Sequence, residues 1–444
     1  MHGPDLVLVG GTVRALDAAG TVAEALAITG GTITALGGDA AIGALATPRT
    51  RVIELAGRTV IPGINDGHLH GCWLGARWPS LFFGDEGHPP EGRLVSTESE
   101  RRAALLQCWG VLASLGITSY TEPGIGPGED EGETGCFGTA VLDTYRELAA
   151  TPAQTVRVTL LRLFGLVDGA TTLDGFRSGL ATTVPPSDPR WLAVPGVKIF
   201  ADGIPPMGTA WTIEPYPDGS HGGLLTGEGD EGERRAAFAE MVGLANASGA
   251  QIAVHATGDR AIEEFVSLIE NLGGAPAERP HHVVHGDLVT APLLARMRAA
   301  GIGIAVQPLI AAHTGEWVAG TLGPEAAAAA WPLESMLDEG LVATLGSDAP
   351  IASPDWRRTI AAAAALLESR GVEVGDAELT RLLRMVTAIP AVQDGSSAWK
   401  GTLEAGKVAD LCVLGSDPLA VGAAGLPAVD VRMTIVDGRV VFER

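Results

Sequence analysis

Short apolar runs punctuated by glycine turns dominate the first fifty-nine residues: positions 6–9, 11–14, 25–28 and 32–36 each hold a few β-type residues before a turn. These runs read as antiparallel strands. The same texture returns at 408–414 and 433–441. Short strands at one end cannot close a core alone, so the termini are expected to share one small β-sandwich, residues 1–59 with 396–444. Between them, over residues 60–395, apolar strand-like runs alternate with helical periodicity, which predicts a parallel sheet with crossover helices. The strands are expected at 60–64, 117–122, 156–164, 197–201, 251–255, 282–285, 302–307 and 342–345. Eight of them indicate a (β/α)8 barrel, a TIM barrel in the α/β class, in place of an open sheet. Thr97-Glu98-Ser99-Glu100 has capping-box spacing before the helical segment 103–115, and 233–247, 260–271 and 291–299 carry apolar positions at helical period. The acidic, glycine-rich stretch 126–135 reads as a solvated loop.

Length and charge narrow the function. With 444 residues, 46% of them apolar, the chain can bury one large barrel and a smaller partner unit. A net charge of −23 would repel phosphate backbones and anionic lipid, so nucleic acid and membranes are poor partners. Cys72, Cys108, Cys136 and Cys412 are scattered without paired spacing, which indicates neither a zinc finger nor a disulfide framework. The amino terminus has no basic head before a continuous apolar stretch, and the expected location is cytoplasmic.

Five of the predicted strands end in residues suited to metal chemistry: His68 and His70, Lys198, His255, His285, and Asp348. Side chains at the carboxyl ends of barrel strands are how this fold assembles active sites. His68 and His70, two apart, point to one face of an extended segment. Neutral imidazoles suit zinc, cobalt or nickel, and Asp348 adds an oxygen donor. Lys198 cannot ligate as an ammonium. Buried, its amine would lose a proton readily and could add carbon dioxide to give a bridging carbamate; the alternative is a lysine paired with Asp202 or Glu122.

The run Val60-Ile61-Pro62-Gly63-Ile64-Asn65-Asp66-Gly67-His68-Leu69-His70 resembles the first-strand signature of the amidohydrolase superfamily, and residues 401–411 are similar to its carboxyl-terminal signature. Residues 197–203, 255–262 and 346–350 resemble the amidohydrolase 3 branch, the formamide deformylase-like hydrolases. The resemblance implies that His68, His70 and Asp348 hold one divalent ion, zinc, cobalt, manganese or nickel. His255 and His285 would hold a second where two are present, and carboxylated Lys198 would bridge them. Glu122, closing the second strand, is an alternative or supplementary bridge, and Asn65 departs from the usual pattern.

A metal that acidifies water and polarises a carbonyl would let Asp348 act as base, accepting the water proton and passing it to the leaving group. Asp202, Asp259 and Asp287 are candidates to orient the imidazoles, or to cap the following helices. Two rim loops rich in large apolar groups, Trp73, Trp78, Leu81, Phe82 and Phe83 in one and Ile204, Pro205, Met207, Trp211 and Tyr216 in the other, look like pocket walls. Trp73, Phe83, Met207, Trp211 and His221 are the expected substrate contacts, with His313 a further candidate. His88, His281 and His282 read as surface or strand-edge residues. The expected activity is metal-dependent hydrolysis of a C–N bond in a small neutral amide, carbamate or thiocarbamate with apolar substituents, by a homo-oligomer. The rivals are a deaminase of the same superfamily and a catalytically silent scaffold.

Overall fold

The computed structural model describes residues 3–84 and 92–444, so His88 lies outside the described residues. Its central sheet has eight parallel strands, each hydrogen-bonded to the next in the chain: Ile64–Asp66, Ile117–Ile125, Arg157–Leu163, Leu192–Phe200, Gln251–Ala256, His282–His285, Gly303–Val306 and Ala343–Leu345. The Gly67 N–H donates to Leu345 O at 3.2 Å, and Leu69 bridges Ala349, so the last strand returns to the first. This is the (β/α)8 barrel the alternation predicts. The intervening helices start where their caps dictate. Glu98–Ser114 begins on the Thr97–Glu100 capping box and Glu231–Ala247 on an Asp230–Glu233 box, each satisfying N–H groups that the first turn leaves open.

The expected strand at 60–64 is in fact two. Thr59–Pro62 pairs with Leu411–Leu414 and with Thr12–Arg14 in a six-stranded sheet, and the barrel begins only at Ile64. Pro62 has no N–H to continue a ladder, and a Cβ on Gly63 would lie 2.2 Å from Thr118 Oγ1, so the chain can change sheets there only through glycine. Both halves of the run are buried, which is why the apolar pattern does not reveal the break.

Both ends of the chain build the six-stranded sheet, and a four-stranded sheet of Thr32–Gly37, Ala25–Thr29, Leu6–Val9 and Arg51–Glu54 adjoins it. Leu8, Leu26, Ile28, Val60, Leu411 and Ile435, contributed by the two sheets, form one buried cluster. The pairing is mixed and not wholly antiparallel: Leu6–Val9 runs parallel to Arg51–Glu54, and Thr12–Arg14 parallel to Thr59–Pro62. Arg157, at the start of the third barrel strand, binds Asp410 through two nitrogens at 2.7 and 3.0 Å and Asp437 at 3.1 Å, tying barrel to terminal sheet. The segment 126–135 is not simply a solvated loop: it contains a 3-10 turn, Pro127–Glu129, and buried Glu129 accepts the Val167 N–H at 2.7 Å. All four cysteines are buried and unpaired by disulfide. No helix among the described residues is long and apolar enough to cross a membrane.

Candidate metal centre

The first and last barrel strands are clasped just where the ligand candidates leave them. Asp66 Oδ1 accepts the backbone N–H groups of His68 and of Ser347, both at 3.0 Å, and the Asp348 N–H donates to His68 O at 2.8 Å. That clasp sets Asp348 Oδ1 3.2 Å from His68 Nε2 and 3.3 Å from His70 Nε2. Ring centroids of His68 and His70 are 5.2 Å apart, of His68 and His285 5.3 Å, and of His255 and His285 4.6 Å. Donor atoms of His68, His285 and Asp348 all fall within 4.8 Å of one another. Asp348 and His285 hold left-handed backbone, with φ of 54° and 74°. Such strain in residues with a Cβ costs on the order of 1–3 kcal/mol and gathers at functional sites.

Each of three imidazoles has its outward nitrogen engaged, which leaves the other for the cavity. His70 Nδ1 faces Glu122 Oε1 at 3.1 Å, His285 Nδ1 faces Gln307 Oε1 at 2.8 Å, and His255 Nε2 donates to Gly203 O at 3.0 Å. The remaining His255 nitrogen, Nδ1, is buried with no hydrogen-bond partner among the described residues, a free acceptor of the kind a cation needs. Burial pulls His68 and His255 down to about 3, and burial with neighbouring His255 takes His285 well below its ordinary value. Neutral rings of this kind are what a cation requires. Burial also presses on His70, but bonds to Asp348 and Glu122 outweigh it and hold that ring up at about 9. Burial would raise Asp348, yet His68 and His70 overcome it and keep its carboxylate well below the usual range. Nitrogen and carboxylate donors in this number fit a divalent first-row ion such as zinc.

Lys198, on the fourth barrel strand, is 2% exposed, and burial lowers its amine to about 8. Its Nζ sits 5.0 Å from the Phe200 ring centre and bonds neither Asp202 nor Glu122, so the paired-lysine alternative is not what the fold builds. Glu122 is not placed as a bridge. Its Oε2 accepts the Gly71 N–H at 2.6 Å and the Tyr145 hydroxyl at 2.7 Å, and Tyr145 in turn contacts the Tyr120 hydroxyl at 2.8 Å. Both oxygens are thus spent on orienting His70 and its surroundings.

The proposed aspartate orienters also turn elsewhere. Asp202 accepts N–H groups of Trp211, Thr257 and Gly258, Asp259 those of Ile213 and Arg260, and Asp287 the Trp331 indole. Open N–H groups where a loop enters a helix compete well for carboxylates. Gly203 O and Gln307 take the expected role. Gln307 ends its strand as the histidines end theirs, a positional signal that was available; Tyr145, inside a helix, offers none.

Around the mouth, Trp73 lies edge-on to His70 at 6.0 Å and touches Phe82 at 5.2 Å. Phe83 stacks on His313 at 4.9 Å, and Met207 is 74% exposed. Trp211 is a correction: it is 1% exposed, packed in the barrel core under Arg260. His221 Nδ1 contacts Thr212 O at 3.1 Å and so pins its own loop. His281 and His282 are buried, not superficial. Asn65 donates to Asp394 at 3.1 Å. Asp168, not anticipated, follows the third barrel strand with φ of 50° and lies within electrostatic reach of Asp348, Lys198 and His70; no hydrogen bond or ion pair engages its carboxylate among the described residues.

Residues 81–442 match the amidohydrolase family. The chain is 24% identical to N-substituted formamide deformylase of Arthrobacter pascens over 99% of its own length and 98% of that protein. It is 28% identical to YtcJ of Bacillus subtilis (strain 168) over 56% of its length, a match spanning only 47% of YtcJ. An uncharacterized metal-dependent hydrolase from Pyrococcus furiosus superposes with a TM-score of 0.74 at 20% identity, covering 93% of this chain and 99% of that one, a likeness of fold.

Proposed function

The chain belongs to the amidohydrolase family of metal-dependent hydrolases, and from that premise we propose that it hydrolyses a C–N bond in a small neutral amide, carbamate, thiocarbamate or urea carrying an apolar substituent. The observation that carries the reading is the convergence of His68, His70, His255, His285, Lys198 and Asp348 at one mouth of the barrel, all buried except the partly exposed His285, with ring nitrogens of His70, His255 and His285 held from behind. His68, His70 and Asp348 would hold one cation and His255 with His285 a second. Lys198 would join them as a carbamate: its neutral amine bonds to the carbon of carbon dioxide and a proton leaves, giving an anion. When bound, the cation supplies Lewis acidity, bringing the pKa of water to about 7 and polarising a carbonyl.

The chain's own residues do the rest. Glu122 and Gln307 fix which ring nitrogens face the cavity. Asp348 takes the proton from water and returns it to the departing nitrogen. Trp73, with Phe82 packed against it, forms an apolar border beside His70 that suits a hydrophobic substituent. Asp168, within electrostatic reach of Asp348, Lys198 and His70, would accept a substrate N–H.

Elemental analysis of the purified protein, with a panel of N-substituted formamides, acetamides, carbamates and ureas read for amine release, tests this. Turnover of at least one apolar member by metal-loaded protein is expected. Ammonia release from ring substrates alone would favour a deaminase, dipeptide cleavage alone a peptidase, and a metal-free protein inert to the whole panel would end the proposal.

A further inference from the structure

A cavity of about 430 Å³ opens on the same end of the barrel and contains none of the six convergent residues. Its walls come from the loops that follow three ligand-bearing strands: Thr212 and Glu214 after the fourth, Asp259 after the fifth, and residues 288–291 after the sixth. Leu288, Val289, Leu322 and Ala326 make one side apolar. The other side is acidic. Glu214, Asp259 and Glu334 line it, and its single cation, Arg370, is consumed by Glu334 Oε1 at 2.8 Å and by the Ala330 carbonyl. The carboxylates of Glu214 and Asp259 have no ion-pair partner among the described residues. Arg370 pairs with Oε1 of Glu334, but the other oxygen, Oε2, is buried without a hydrogen-bond donor among the described residues.

A space of this volume suits a small organic ligand, and its lining specifies which kind. An anion would meet unpaired carboxylates and no free cation. A neutral apolar molecule would leave Glu334 Oε2 unsatisfied. An ammonium head on an apolar body meets both demands, donating to the carboxylates while the body rests against Leu288 and Ala326.

We propose that this cavity binds a monovalent alkyl- or arylalkylammonium ion at a site separate from the metal centre. The inference rests on the hydrolytic reading in one respect: cleavage of an N-substituted amide or carbamate releases an amine that is protonated near neutral pH, which is the chemistry this cavity selects. Asp259 Oδ1 accepts the Ile213 N–H at 2.9 Å and so joins two of the shared loops.

Calorimetric titration of the metal-loaded protein with benzylammonium chloride, in parallel with benzyl alcohol and phenylacetate, tests the site. Saturable one-to-one binding is expected for benzylammonium, at least tenfold weaker for the alcohol and absent for the carboxylate. Glu214→Gln and Ala326→Trp, the second filling the cavity from an outer helix, should each weaken benzylammonium at least tenfold with metal content unchanged. Failure of benzylammonium to saturate the wild-type protein, or undiminished affinity in Ala326→Trp, overturns the proposal. Binding is read without turnover, so an inert enzyme that still binds benzylammonium at this cavity removes only the hydrolytic reading, and an active enzyme that does not bind it removes only this site.

Discussion

Glu122 Oε1 stands 3.1 Å from His70 Nδ1, and this contact dictates that the opposite nitrogen of the ring faces Asp348. A carboxylate behind a metal-binding imidazole commonly raises affinity about 10–100-fold. Glu122→Gln should therefore weaken zinc by roughly tenfold or more, measured with competing chelators, and Tyr145→Phe by less, since it removes one bond to the remote oxygen. Unaltered zinc affinity in Glu122→Gln would show that the contact does not support the ligand.

Asp348→Asn should lower turnover by several orders of magnitude while metal content falls far less, because an amide retains an oxygen donor but cannot accept the proton. Elemental analysis and kcat on the same preparation separate the effects. Full activity would remove Asp348 from proton transfer.

Lys198→Ala should lose bound metal, and millimolar acetate or propionate should restore part of it if a carbamate fills the space between the ions. Retention of the full metal complement without added acid would eliminate the bridge.

His281 gives a pH signature remote from the reaction. Its ring is buried, with Nδ1 accepting the Ile252 N–H at 3.1 Å, and burial lowers it from 6.5 to about 4. Above 6.5 the ring is neutral in folded and unfolded chains alike, so its support is intact. As pH falls from 6.5 towards 4 the unfolded chain takes up the proton first, and about 3 kcal/mol of stability is lost. Urea midpoints across that window should converge between wild type and His281→Gln as the pH drops; parallel curves would refute the assignment.

Arg157→Met leaves Asp410 buried without its bidentate partner and should cost about 3–5 kcal/mol of unfolding free energy. A loss below about 1 kcal/mol, the range of exposed pairs, would show that the contact is screened.

Much of this was legible in the sequence, and the exceptions share a cause. His68, His70, Lys198, His255, His285 and Asp348 stand out because strand ends on a barrel rim are few and chemically unusual residues at them are conspicuous. What a polar residue bonds to across the barrel leaves no such trace. Glu122 could be named from the sequence, but only its cross-strand neighbours decide that it orients His70 instead of bridging ions. Asp202 and Asp259 are drawn to backbone N–H groups that any loop entering a helix exposes. Trp211 and Trp73 have the same hydrophobicity; one is sealed beneath Arg260 and the other borders His70, a difference set by tertiary packing alone.

The change of sheet at Gly63 makes the two ends of the polypeptide a single mechanical support for its chemistry. The segment just before His68 and His70 is gripped by Leu411–Leu414, some three hundred and fifty residues downstream. A ribosome has released the second, fifth and sixth barrel strands long before that grip can exist, so a nascent chain stalled short of Leu411 should hold its histidines in order along the rim yet lack the anchor that keeps the first pair in place. Capacity to retain metal should accordingly arrive late in synthesis, with the final stretch of the chain.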